Sequence, residues 1–201
     1  MTPFFLYAGN VPMRQEYEKF TGLSLSISDK RHIKHDIREM HPFNDNSVYI
    51  YQAEDVFEHI EYHLLPAIIN DIYRILVVGG IFRLSLPDYR CDILAERSLT
   101  DDSGQIFFDP GGGGSYKNGK VTDGGHLWFP FFETVMCLLS LSAFNDVRFY
   151  HYYNVLGEPV VNPIDYKIGY IQRTPDHDPR VASPYRPMSI VVDCLKQNLY
   201  D

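Results

Sequence analysis

Basic residues are scarce in this chain. Eighteen Lys and Arg stand against 26 Asp and Glu, a net charge of −8. A surface that holds nucleic acid or an anionic membrane needs clustered Lys and Arg, so neither partner is expected. Cysteine is rarer still. Cys91, Cys137 and Cys194 form no CxxC pair and are odd in number, which argues against a disulfide scaffold and for a reduced, cytoplasmic protein. No apolar run approaches the roughly 18 residues of a membrane span. The opening Met1-Thr2-Pro3-Phe4-Phe5 has no basic stretch before its apolar residues, so no secretory leader is expected. The glycines Gly111 to Gly114 are followed by Lys117 but by no GK[ST]; they read as a flexible connector rather than a phosphate loop. No internal repeat is evident.

The 201 residues, 45% of them hydrophobic, are enough for one domain, 1–201, with a substantial core. Phe4-Phe5-Leu6-Tyr7-Ala8 is a short apolar run stopped by Gly9-Asn10, the pattern of a buried strand. Met13 to Phe20 reads as an amphipathic helix. Leu23 to Ile27, His32 to Ile37 and Val48 to Tyr51 read as the next three strands. Leu64, Leu65, Ile68, Ile69, Ile72, Tyr73 and Leu76 recur at three- and four-residue spacing, the apolar face of a helix over Leu64–Val77. Gly79-Gly80 supplies its positive-φ stop. Ile81 to Leu86 is a fifth strand, Phe131 to Phe144 another helix, and Val147–Tyr152 and Ser189–Leu195 a sixth and seventh strand. Strands separated by helices imply a mainly parallel α/β sheet. Two stretches, about 89–128 and 154–187, are loop insertions: binding lids or surface decoration.

In such sheets ligands sit beyond the carboxyl ends of the strands. The candidate loops are therefore Gly9-Asn10, Ser26 to Asp29, Asp36-Ile37, Gln52 to Asp55 with Glu54 between them, and Asp88-Tyr89.

One order of motifs goes further. Asp36-Ile37 is followed by Pro42-Phe43-Asn44-Asp45-Asn46-Ser47-Val48, then by Glu58-His59, Arg74-Ile75-Leu76, Gly79-Gly80 and Leu84-Ser85-Leu86-Pro87-Asp88. This series resembles the middle of the class I S-adenosylmethionine (SAM)-dependent methyltransferases, and most closely small methyltransferases of the type 11 kind. The resemblance implies a Rossmann-like, seven-stranded sheet in the order 3-2-1-4-5-7-6, the seventh strand antiparallel, with helices on both faces. It implies SAM as cofactor and a small-molecule acceptor, a sugar or another metabolite. It places the methionine moiety over Gly9 and Asn10, the ribose near Ser26 or Asp29, and the adenine beside Asp36 and Ile37. Gln52, Glu54 and Asp55 line the same end.

The glycine motif departs from the family. Its second glycine is replaced by Val11, a branched residue that tolerates positive φ poorly. His126, ahead of the helix near Phe131, is the candidate base, with Asp88 and Tyr89 beside it; the alternative is a structural histidine. Asp109, Tyr116, Lys117 and Asp123 are candidate acceptor contacts in a lid over the cleft, and His177 is a weaker candidate base. No metal centre is read: His59-x-x-x-His63 belongs to neither HExxH nor HxxEH and no third ligand is marked. Two rival functions stay open, because a fold does not choose a function. One is a non-catalytic relative that has lost SAM and acts as a binding protein. The other is an enzyme of another class, such as a hydrolase.

Overall fold

A computed structural model describes residues 4–198. In chain order the elements are β1 (Phe4–Ala8), β2 (Thr21–Ser24), β3 (His32–Lys34), β4 (Val48–Glu54), α1 (Leu65–Ile75), β5 (Leu76–Pro87) and α2 (Asp92–Arg97). They continue as β6 (Leu99–Thr100), β7 (Ile106–Phe108), β8 (Ser115–Lys117), β9 (Lys120–Thr122), α3 (Phe132–Ser140), β10 (Asp146–Tyr153), β11 (Pro159–Val161), α4 (Pro179–Ala182) and β12 (Ser189–Leu195).

The main sheet runs β11-β10-β12-β5-β4-β1-β2-β3. β3, β2, β1, β4 and β5 are mutually parallel, and β12 is antiparallel between β5 and β10. The expected 3-2-1-4-5-7-6 order is present. The expected count of seven is corrected to eight, because β11 adds an antiparallel edge strand to β10. β11 opens with Pro159, a residue tolerated at a strand's first position and on sheet edges, which is why the Pro-rich stretch reads as loop in sequence. The other insertion folds into α2 and two hairpins, β6–β7 and β8–β9.

Element bounds also shift. The Met13–Phe20 segment forms one 3-10 turn, Gln15–Tyr17, instead of a helix. α1 ends at Ile75 and β5 begins at once, so Gly79 lies within a bulge of the strand at φ +79° rather than at the helix stop.

Alternation in the strands sends Leu6, Tyr51, Phe82, Leu84 and Val192 to one face, where they meet Ile68, Ile69 and Ile72 of α1 and Val135, Leu138 and Leu139 of α3. Each such side chain contributes about 1.5–3 kcal/mol on full burial. Helices were expected on both faces, but α1 and α3 share this one. The connection 25–31 is too short for a packed crossover helix and its turns, and 9–20, at the lower limit of about a dozen residues, forms only a 3-10 turn.

The opposite face carries a buried polar row, Gln52, Arg83 and Asp193, in register on β4, β5 and β12. Tyr17 and Phe20 cover one end of it with Tyr7 and Val11. The segment 162–178 covers the rest as a strap. Arg83 donates to the carbonyls of Asp165 (2.9 Å) and Gly169 (2.7 Å), Gln52 to that of Tyr170 (2.7 Å), and the Gln172 N–H donates to Glu54 (2.6 Å).

Glu54 also accepts from the hydroxyls of Tyr7 and Tyr17 and is 5% exposed. Burial pushes its carboxyl up to about 7, against the opposing pull of these donors. The folded state therefore holds this proton more tightly than the unfolded chain does. The stabilisation is complete below the unfolded pKa near 4.5 and is lost as pH rises through about 7. Between pH 5 and 7 the parent should lose on the order of 2–3 kcal/mol more stability than Glu54→Gln. Urea unfolding of both at the two pH values checks this; parallel pH profiles would refute it.

Candidate functional site

A cleft of about 410 Å³ opens at the carboxyl ends of β1 to β4. Of the expected cofactor contacts, the structure brings four to it: Gly9, Asp36, Ile37 and Asp55. Gly9 turns the chain out of β1 at φ +91°, a conformation that L side chains rarely adopt, and the position above its Cα is open apart from Val56 at 3.7 Å. Ile37 is buried against the core and offers an apolar wall. Asp36 is engaged already. Its two oxygens accept from the Arg38 guanidinium at 2.6–3.0 Å, which holds the carboxyl below the usual carboxylate range. Asp55, itself at φ +56°, pairs with Arg173 of the strap. Leu23, Leu25, His35, Val56 and Ile60 add to the wall; none of them stood among the expected cofactor contacts, although Ile60 closes the Glu58-His59 motif.

The remaining candidates lie elsewhere. Asn10 and Ser26 are exposed, and the Ser26 N–H is turned back onto Ser24 Oγ. Asp29 accepts from the Arg31 N–H (2.8 Å) and from His32 Nδ1 (2.9 Å). That fixes the imidazole so that Nε2 accepts the Val11 N–H at 3.1 Å. Val11 is packed into the strap-side core, and its backbone donor is consumed there rather than presented to a ligand. Gln52 and Glu54 face the strap. Asp88 caps the backbone, accepting from the N–H groups of Arg90 and Tyr153. His177 meets the Ile171 carbonyl within the strap at 2.8 Å.

Beside the cleft lies a second constellation. Tyr89 follows β5, His59 follows β4, and His126 precedes α3. The Tyr89 hydroxyl bonds both His126 Nδ1 and Asp109, at 2.6 Å to the latter. Asp109 also accepts from Arg97 (2.6 Å) and the Gly111 N–H (2.8 Å). Burial works to raise the Asp109 carboxyl, but its hydrogen bonds and Arg97 prevail and hold it low. An ionised Asp109 takes the hydroxyl proton of Tyr89, so His126 donates from Nδ1 and keeps a lone pair on Nε2. That Nε2 lies 3.7 Å from Glu58, and the imidazole stands edge-on to His59 with centroids 4.7 Å apart. Burial, then the proximity of His59, push His126 down to about 4. The ring is neutral at physiological pH.

The glycine run is not a free connector. Pro110–Gly112 forms a 3-10 turn capped by Asp109, and Gly112 lies so close that an added Cβ would stand 2.7 Å from the His126 ring. Asp109 is buried rather than exposed to an acceptor. Tyr89, Phe107, Tyr116, Trp128, Phe129 and Phe131 line a larger cavity of about 1030 Å³ formed with the 89–128 insertion. His59 lines the smaller cleft, Tyr89 the larger cavity, and His126 joins the two.

No family model matches the chain, and no curated protein matches it. Solved structures do. A SAM-dependent methyltransferase from Thermotoga maritima is 16% identical, with a TM-score of 0.55 over 98% of this chain and 84% of that one. One from Archaeoglobus fulgidus is 13% identical, with 0.54 over 97% and 86%. One from Methanosarcina mazei is 12% identical, with 0.53 over 98% and 93%. Likeness at such identities concerns architecture, and it agrees with the strand order found here: the chain has the class I SAM-dependent methyltransferase fold.

Proposed function

We propose that this protein is a SAM-dependent methyltransferase acting on a small molecule. The observation that carries the reading is the 410 Å³ cleft at the strand carboxyl ends, with Gly9 beneath it and Asp36 and Ile37 at its wall. Its volume is within the range of ligand sites. The residues fit SAM in part. Ile37 and Leu23 offer apolar surface to the adenine ring and Asp36 a carboxylate to its amino group. The bent backbone at Gly9 leaves room for the methionine end. When bound, SAM supplies an activated methyl group on a sulfonium. This chain's own residues would then orient the acceptor and exclude water. The aromatic cavity beside Tyr89 is the place for that acceptor, and its rings suit the apolar face of a sugar or another ring.

Two features favour weak binding or the non-catalytic alternative: Arg38 occupies Asp36, and the Val11 N–H is spent on His32. Calorimetric titration with SAM and S-adenosylhomocysteine tests the reading. Asp36→Ala should weaken binding about tenfold, the loss of a charge-assisted hydrogen bond. Arg38→Ala should strengthen it by freeing the same carboxylate. Opposite signs in the two variants support the site. No binding by the parent or by Arg38→Ala would leave the non-catalytic binding protein.

A further inference from the structure

Glu58 is fully buried, and neither of its carboxylate oxygens has a hydrogen-bond partner among the described residues. The charges around it are already matched: Arg173 pairs with Asp55, and Arg97 with Asp109. The nearest polar neighbours bring lone pairs instead of protons. The Gly124 carbonyl, 2.8 Å away, fixes the proton of His59 on Nδ1, so the His59 Nε2 is a lone pair. His126 likewise keeps its Nε2 lone pair, because Tyr89 and Asp109 hold its proton on Nδ1. An unpartnered buried carboxyl thus stands beside two imidazoles whose protons are engaged elsewhere, a set of ligand atoms that a cation would satisfy.

We infer that Glu58, His59 and His126 bind one divalent first-row transition-metal ion. One donor atom from each lies within 4.8 Å of the others, and Glu58 and His126 are 3.7 Å apart. Bonds of about 2.0–2.2 Å to nitrogen and oxygen need ligands roughly 3–3.5 Å apart. Closing the difference asks for a rotamer adjustment of Glu58, which no hydrogen bond restrains, and for small shifts of the two imidazoles toward it. Two imidazoles and one carboxylate suit Zn²⁺, Co²⁺, Fe²⁺ or Mn²⁺ and not Mg²⁺ or Ca²⁺, which take oxygen ligands. Both histidines also carry the supports that metal ligands usually have. His59 donates to a backbone carbonyl, and His126 to a tyrosine backed by an aspartate and an arginine. Three protein ligands leave coordination positions open, and His59 lines the cleft. On the methyl-transfer reading these positions take an oxygen of the acceptor, a hydroxyl or carboxylate; the centre itself does not depend on that reading.

The test uses the full chain, stripped with chelator and titrated with Co²⁺ by visible absorption and with Zn²⁺ by calorimetry. Glu58→Gln, His59→Gln and His126→Gln are compared with His63→Ala and Cys137→Ser, both altered at exposed groups. We expect one equivalent in the parent and both controls, and at least about 100-fold weaker binding in each ligand variant, the upper range for disturbed metal sites. Mg²⁺ at the same concentration should not compete. Glu58→Gln should melt above the parent without metal, because the unpartnered carboxylate is gone, and should lose the metal-induced rise in melting temperature. No binding by the parent, undiminished binding by the ligand variants, or equal competition by Mg²⁺ would each overturn the proposal. S-adenosylhomocysteine is titrated alongside. Metal binding without it supports the centre and sinks the methyl-transfer reading alone.

Discussion

Arg83→Met should lower the unfolding free energy by about 3–5 kcal/mol, the cost of leaving one partner of a buried ion pair alone. Arg83 and Asp193 are 0% and 1% exposed and share two bonds of 2.7 Å. The substitution strands the Asp193 carboxylate and removes the donor to the Asp165 and Gly169 carbonyls. The double variant Arg83→Met/Asp193→Leu should recover about half of the loss, since replacing both charges by apolar groups is often close to neutral. It should not recover the strap. Backbone amides of 165–172 should exchange with solvent faster in both variants than in the parent. Full recovery of stability and exchange protection would show that the strap is held by something other than Arg83. The effect reaches the site, because the same strap delivers Arg173 to Asp55 at the cleft.

That pair also shows where the sequence is hard to read. The helix-side face was legible: apolar residues alternate along β4, β5 and β12, α1 has a clear 3.6-residue period, and the motif series from Asp36 to Asp88 carried the strand order. The strap side was not. Gln52, Glu54, Arg83 and Asp193 look like the solvated face of a half-buried sheet. They are buried because groups more than 80 residues away satisfy them, strap carbonyls and an N–H for Gln52, Arg83 and Glu54 and the Arg83 guanidinium for Asp193, and no local pattern announces such a partner. The same cause misplaced several site residues. The resemblance pointed to Ser26 or Asp29 for the ribose, but the short β2–β3 connection spends Asp29 on His32. Glu54 was read as a cleft residue from its position at the end of β4; strand alternation sends it to the strap, and Asp55, one residue on, to the cleft. Glu58 and His59 were visible as a motif. Their convergence with His126, and the support from Asp109 and Arg97, depend on how the 89–128 insertion folds.

Asp109→Asn tests that support. Asp109 is 1% exposed and accepts from three donors, Tyr89, Arg97 and Gly111. An amide of the same shape cannot serve them all. With its oxygen toward Gly111, its NH₂ faces the Arg97 guanidinium; with its oxygen toward Arg97, its NH₂ faces the Gly111 N–H. Either way a buried donor loses its acceptor, which costs about 1–3 kcal/mol. In the first orientation the NH₂ donates to the Tyr89 oxygen, and the hydroxyl proton turns to His126 Nδ1. The imidazole proton then moves to Nε2, the atom that faces Glu58. A reversed tautomer of this kind disables a histidine without displacing it. Nitrogen-15 NMR of His126 should show Nδ1–H in the parent and Nε2–H in the variant. Co²⁺ affinity should fall by about 10–100-fold, as for other disturbed supports of metal ligands. S-adenosylhomocysteine affinity should stay unchanged, since Asp109 does not line the 410 Å³ cleft. An unchanged tautomer with unchanged Co²⁺ affinity would mean either that the amide keeps its oxygen toward Tyr89 and Arg97 or that Tyr89 alone sets the His126 proton, and Asp109→Leu, which offers no acceptor in either orientation, separates the two.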